Sequence, residues 1–313
     1  MPGWCLVALA IAPGLWLLKY HRDHDRTQPE PARLVWGVFL LSVGTCAAAA
    51  LAETLLGAGT LEGAATWSKG LYAFLVIGPV EEAAKLYPVW RVSRRPEFDE
   101  TIDGLVYGAA SGAGFACVEN LAYVLEHGFV TGLFRAALSV PFHVFTAALL
   151  GYGLAQWRLA GRAWAVPAAF LATSALHGLY DFSLFVQVPG APGPGLLVPP
   201  LATVALAWGG TRALAASSLQ SRLRHAAPGP ASAGVEPPAE PDAPLAPWRR
   251  TFNLWACVGF ALASLGTGGL FVLGLAALHA TGQQPPGSAW LQALLAAIPF
   301  AAAAGFVRQA MRL

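Results

Sequence analysis

Nine stretches of predominantly apolar residues follow one another along this chain, at roughly 3–18, 34–56, 70–91, 104–125, 131–156, 163–187, 195–217, 251–279 and 287–308. A helix needs about 20 such residues to cross a bilayer. In lipid every backbone N–H and C=O must be satisfied within the segment, so runs of this kind fold as helices. The sequence therefore predicts an all-α, polytopic membrane helix bundle of about nine spans. Composition agrees: 56% of the 313 residues are hydrophobic and 12% charged, against about 25% charged in soluble domains. No basic stripe with interleaved aromatics exists to bind nucleic acid.

Charge placement orients the bundle. With the N-terminus outside and the spans alternating, 16 of the 19 Lys and Arg residues fall on inner segments, Lys69 and Arg135 fall outside, and Lys85 lies within a span. That asymmetry predicts an N-out, C-in topology. Lys19, Arg22 and Arg26 follow the first run and no basic region precedes it, the pattern of an uncleaved anchor. Trp4, Trp36, Trp67, Trp90, Trp157, Trp164, Trp248 and Trp290 stand near run ends, as interfacial belts do.

Three regions emerge. Residues 1–217 form a seven-helix core. Residues 218–247, with seven prolines between Pro228 and Pro247, read as a disordered cytoplasmic linker. Residues 248–313 form a two-helix hairpin with no internal carboxylate. Cys5, Cys46, Cys117 and Cys257 have neither metal-type nor redox-type spacing and read as buried small hydrophobes.

The third run carries Gly78-Pro79-Val80-Glu81-Glu82-Ala83-Ala84-Lys85. A charge at the bilayer centre costs about 2.5–3.5 kcal/mol on insertion scales, so intramembrane ionisable groups mark functional sites and need partners. The other acidic residues and histidines inside spans are Glu53, Glu119, His143, His177 and Asp181. Glu53 reads as a rim residue, His127 and His279 as interfacial, and Asp103 as the cap of the fourth helix. Glu81 and Lys85 are i,i+4, Glu82 and Lys85 i,i+3, and His177 and Asp181 i,i+4, so each pair shares a helix face. The spacing leaves open which glutamate Lys85 holds; the favourable Glu-before-Lys order points to Glu81, with Glu82 facing water. At 1.5 Å per residue, Glu81, Glu82, Glu119, His143, His177 and Asp181 all lie about 9–18 Å below the outer face. Four helices thus supply polar groups to one layer, in the outer half of the bilayer. The small-residue run Gly108 to Gly114, just before Glu119 and Asn120, lets helices approach closely. A proton- or cation-coupled transporter or channel would use similar buried groups, but no internal repeat accompanies them. A non-catalytic scaffold would use them only to lock helices.

These motifs resemble the PrsW family of intramembrane proteases, within the CAAX-processing and bacteriocin-processing protease superfamily. The resemblance rests on Glu81-Glu82-Ala83-Ala84-Lys85, on Asp103-Gly104-Leu105-Val106-Tyr107-Gly108, on Gly114-Phe115-Ala116-Cys117-Val118-Glu119-Asn120, on Pro141-Phe142-His143 and on His177-Gly178-Leu179-Tyr180-Asp181. It spans residues 70–185 and implies hydrolysis of a peptide bond within the membrane, with Glu81, Glu82, Glu119, His143, His177 and Asp181 as catalytic candidates and Lys85, Asn120 and Asp103 in support. Two forms of the chemistry stand open. In one, Glu119, His143 and His177 hold Zn²⁺, Asp181 orients His177, and Glu81 or Glu82 is the general base. In the other, no metal takes part, His143 or His177 donates to the oxyanion, and Glu119 helps to hold the water. The implied substrate is a membrane-embedded protein or peptide, such as a single-span regulator of the anti-sigma-factor kind, and the implied location is the bacterial plasma membrane.

Overall fold

The structure, a computed structural model, describes residues 3–57, 61, 63–187 and 193–226. The regular structure of the described residues is all helix, with no strand: α1 (Gly3–His24), α2 (Ala32–Leu55), α3 (Thr66–Tyr72) running through a π-turn (Ala73–Ile77) into α4 (Gly78–Val92), α5 (Thr101–Ala137), α6 (Ser139–Ala160), α7 (Ala165–Phe185) and α8 (Pro194–Ala226). Three stretches, Gly3–His24, Ala32–Leu55 and Thr101–Ala160, are long and apolar enough to cross a membrane by length and composition. The two expected C-terminal spans, the hairpin and the Pro-rich part of the linker lie outside the described residues. Helix α8 runs to Ala226, past the expected linker start at 218. Its last turns are tied down where Ser218 Oγ donates to the His24 carbonyl (2.7 Å) and Ser221 Oγ to Glu100 Oε2 (2.5 Å).

Helix α5 is the centre of the bundle, packed on α6, α1, α2 and α4. Its glycines explain the intimacy of the α5–α6 crossing. A Cβ on Gly104, Gly108 or Gly112 would sit 2.2–2.4 Å from the backbone carbonyls of Gly151, Ala147 and His143. Spaced four apart, these three form one stripe along which the two backbones touch, as small residues permit in membranes. Gly114, off that stripe, meets the Phe39 carbonyl of α2 in the same way. Large apolar side chains such as Leu40, Leu51, Leu75, Leu125 and Leu171 are exposed on the outside, where lipid satisfies them. Trp4, Trp36, Trp67, Trp90, Trp157 and Trp164 are exposed as well.

Two prolines shape the third expected span. Pro79 has no N–H, and its ring would clash with the carbonyl four residues back. The π-turn just before it absorbs the misfit: the Gly78 N–H reaches the Ala73 carbonyl, five residues back. About two and a half turns further on, Pro88 offers no N–H to the Ala84 carbonyl. Thr45 Oγ1 of α2 donates to that carbonyl at 2.9 Å, and Ser111 Oγ of α5 donates to the Lys85 carbonyl at 2.7 Å. The backbone deficit is thus met by neighbouring helices, as burial in lipid requires.

The fifth expected span begins later than the hydropathy indicates. Gly128, at φ 80°, breaks α5. The segment after it folds back so that Gly132 packs on Leu9 and Val124, and α6 starts at Ser139 rather than near 131. His143 is therefore only four residues into its helix. Positive φ comes readily only to glycine, so this fold-back depends on residue 128.

Candidate active site

Helices α4, α5, α6 and α7 place Glu81, Glu82, Lys85, Glu119, His143, His177 and Asp181 around one centre. The crossing of α4 on α7 is set by two glycines: a Cβ on Gly78 would lie 2.3 Å from the Ser174 carbonyl, and one on Gly178 2.8 Å from Phe74 Cα. That closeness brings Glu81 and Glu82 to His177.

The two glutamates have different surroundings. Glu82 is fully buried; its Oε1 receives Lys85 Nζ at 2.7 Å and contacts His177 Nδ1 at 2.7 Å. Glu81 Oε2 is 3.5 Å from Lys85 Nζ, 3.4 Å from His177 Nε2 and 3.8 Å from His143 Nδ1. The expected pairing is thereby reversed. Lys85 holds Glu82, three residues away, and Glu81 faces the two histidines. The cause lies off the helix: His177 reaches in from α7 and anchors Glu82, so Lys85 closes on the glutamate already fixed.

Each imidazole is used at both nitrogens. His177 turns Nδ1 to Glu82 and Nε2 toward Glu81, with Asp181 Oδ2 also 3.5 Å from Nε2. His143 places Nε2 2.7 Å from Glu119 Oε2 and Nδ1 toward Glu81. Glu81 Oε2 and His143 Nδ1 are buried and have no hydrogen-bond partner. Phe115 and Phe142 wall the site: Lys85 Nζ lies 4.6 Å from the Phe115 ring centroid, and Phe142 stands edge-on to both histidines. The Glu119 and Asp181 side chains are about a fifth exposed, while Glu82 and Lys85 are completely buried. The site therefore opens past Glu119 and Asp181.

Among the described residues, Glu81, His143 and His177 each offer one ligand atom within 4.8 Å of the others. The sequence expectation had Glu119 with the same two histidines. Glu119 instead lies behind His143 and is held at Oε1 by Arg135 Nη2 at 2.8 Å. Arg135 was expected on an outer segment. The fold-back at Gly128 carries it to Glu119, to Asn120 Oδ1 (Nε, 2.9 Å) and over the Tyr123 ring. Asn120 also donates to the Ala10 carbonyl of α1. Asp103 is remote: it begins α5, 16 residues before Glu119 and about 24 Å away along the helix. There it accepts the Glu100 and Asp99 N–H groups at 2.6 and 2.8 Å, a helix-capping role. Glu53, on α2, stands at the edge of this centre, near enough to act electrostatically on Glu81 and Asp181, and its backbone carbonyl accepts from Tyr72 Oη at 2.6 Å.

A family model described as PrsW family intramembrane metalloprotease matches residues 30–222. The chain is 34% identical to "Protease PrsW" of Geobacillus kaustophilus over 185 residues, 58% of this chain and 80% of the relative. It is 31% identical to "Protease PrsW" of Bacillus subtilis over 186 residues (58% and 83%) and 31% identical to that of Clostridioides difficile over 193 residues (58% and 80%). No solved structure matches.

Proposed function

Because the chain belongs to the PrsW family and is an intramembrane protease, we propose that Glu81, His143 and His177 hold its metal ion, of the zinc class, and that Asp181 handles protons at the site's mouth. The observation that carries this reading is the geometry of three atoms: Glu81 Oε2, His143 Nδ1 and His177 Nε2. The two nitrogens stand 3.8 and 3.4 Å from the oxygen. Those separations are long for hydrogen bonds, and near the roughly 3.3 Å between ligands set 2.0–2.1 Å from a tetrahedral ion. The orphaned Glu81 Oε2 and His143 Nδ1 fit the same donor set.

Zinc in such a site supplies Lewis-acid polarisation of the scissile carbonyl and a more acidic water. The chain's own residues do the rest. Glu82 accepts from His177 Nδ1 and keeps the Nε2 lone pair toward the centre. Glu119 Oε2 stands 2.7 Å from His143 Nε2 and leaves Nδ1 inward. Carboxylates in this position orient the ring and raise its basicity as a ligand. Lys85 balances Glu82, and Arg135 balances Glu119. Asp181 Oδ2, beside His177 Nε2 and partly exposed, accepts the proton of the attacking water and returns it to the leaving amine.

The same reading extends to the membrane. Nine spans with the N-terminus outside, supported by the Lys and Arg asymmetry, set the site in the outer half of a bacterial plasma membrane. The apolar exterior supports a route by which substrate reaches the site from within the bilayer. The substrate is then a membrane-embedded protein or peptide, with a single-span regulator of the anti-sigma-factor kind fitting that route.

The test is metal content measured beside cleavage. Purified chain carrying one zinc per molecule, losing both zinc and peptide cleavage in Glu81→Gln and His177→Ala, is the expected result. A chain without stoichiometric metal that cleaves at full rate in chelator overturns the metal reading.

A further inference from the structure

Asp25, Glu30 and Asp103 come together at the end of α5 remote from the active site. Asp25 and Glu30 stand in the turn between α1 and α2, and Asp103 in the first turn of α5. All three are buried, at 2%, 4% and 1% exposure. One oxygen from each lies within 4.8 Å of the others. That is the spread of ligands around a single ion, since two oxygens 2.0–2.6 Å from a common cation lie at most about 4–5 Å apart.

Hydrogen bonds organise this group but bring it no positive charge. Tyr107 Oη donates to Glu30 Oε2, and the Glu30 N–H donates to Asp25 Oδ2 at 3.0 Å. Asp103 Oδ2 takes the N–H groups of Asp99 and Glu100. Arg22 acts on Asp25 through space and is opposed by Asp103 and Glu100. Separately, Asp25 Oδ1 is buried and receives no hydrogen bond at all, although its carboxylate faces Glu30 and Asp103. An orphaned carboxylate oxygen beside two further buried carboxyls is costly unless a cation or protons complete it. Burial, with Asp103 nearby, pushes Asp25 up to about 7 and Glu30 up to about 9.

We propose that Asp25, Glu30 and Asp103 form a second cation site, for a hard divalent ion of the Ca²⁺ or Mg²⁺ type, which clamps the α1–α2 turn to the start of α5. An all-oxygen donor set suits such ions and not zinc. This site stands independently of the active-site reading.

The experiment uses the full chain carrying Glu81→Gln, so that the intramembrane site is disabled, purified in detergent after chelation. Mn²⁺ is the probe, read by electron paramagnetic resonance, with Ca²⁺ and Mg²⁺ as competitors. One bound Mn²⁺ per chain, displaced by Ca²⁺ or Mg²⁺ and held at least tenfold more weakly in Asp25→Asn, is the expected result. Absence of bound Mn²⁺, or equal binding by Asp25→Asn, overturns the proposal. Should Asp25→Asn not fold, the parent decides: its unfolding midpoint rises in Ca²⁺ or Mg²⁺ relative to K⁺ at matched ionic strength, and an unchanged midpoint overturns the proposal.

Discussion

Glu119 approaches His143 Nε2 to 2.7 Å and thereby turns the other nitrogen of that ring toward Glu81. Glu119 thus acts on the centre through His143. Replacing Glu119 by Ala frees the ring to rotate and leaves Arg135 without its carboxylate. We expect metal affinity and cleavage rate to fall together by about 10–100-fold, read by metal analysis and a peptide-cleavage assay. A normal metal affinity in Glu119→Ala would contradict this role.

Glu81 and Glu82 separate by what their loss does to stability. Glu82→Ala leaves the completely buried Lys85 with only the more distant Glu81, 3.5 Å away, and removing one partner of a buried ion pair costs about 3–5 kcal/mol. Glu81→Gln removes an oxygen that makes no hydrogen bond and leaves the Lys85–Glu82 pair intact. We expect both variants to be inactive, with only Glu82→Ala unfolding at clearly lower denaturant. Equal stability losses would reject the assignment.

Thr45 and Pro88 form a compensating pair. Thr45→Val withdraws the hydroxyl that serves the Ala84 carbonyl, and an unsatisfied buried acceptor costs about 1–3 kcal/mol. Pro88→Ala restores an N–H four residues on. The cost of Thr45→Val should therefore shrink in a Pro88→Ala background. A double-mutant cycle on unfolding free energies measures the coupling, and strict additivity would show that the hydroxyl does not perform this service.

The acidic cluster carries a pH signature when divalent cations are chelated. Asp25 rises from 3.8 to about 7 and Glu30 from 4.5 to about 9, mainly because burial disfavours their charged forms. A carboxyl raised on folding contributes stability that is full below its unfolded value and is lost as pH climbs through the folded one. Chelated protein should thus lose stability between about pH 4 and 9, followed as a falling unfolding midpoint. A midpoint that rises across that window would exclude the assignment.

Much of the site was legible because burying charge in lipid leaves few innocent explanations. Glu81, Glu82, Glu119, His143, His177 and Asp181 stood out in apolar runs, and counting residues to the outer face placed them in one layer. The glycines of α5 likewise announced a close helix contact. Arg135 was invisible because its return depends on a single positive φ at Gly128, which hydropathy does not register. The pairing of Lys85 with Glu82 was missed because helical spacing treats both glutamates alike and His177, 92 residues beyond Lys85, decides between them. One readable signal was overlooked: Pro88 inside a span must leave a carbonyl for some hydroxyl, and Thr45 and Ser111 were at hand. The cluster of Asp25, Glu30 and Asp103 was read only as the cap at Asp103, because nothing local links a turn near residue 25 to a helix start near 100.

The π-turn at Ala73–Ile77 has a consequence for how such chains change over time. One extra residue in a helix advances everything after it by about 100°, so this turn acts as a phase setting for Glu81 and Glu82. Removing a single residue there would rotate Glu82 toward the direction Glu81 now faces and turn the Glu82–Lys85 pair away from His177, with every side chain of the motif still present. Insertions and deletions in this plain apolar stretch are therefore as damaging as substitutions in the charged one. The count of residues between Tyr72 and Pro79 belongs to the active site as much as the letters of the motif do.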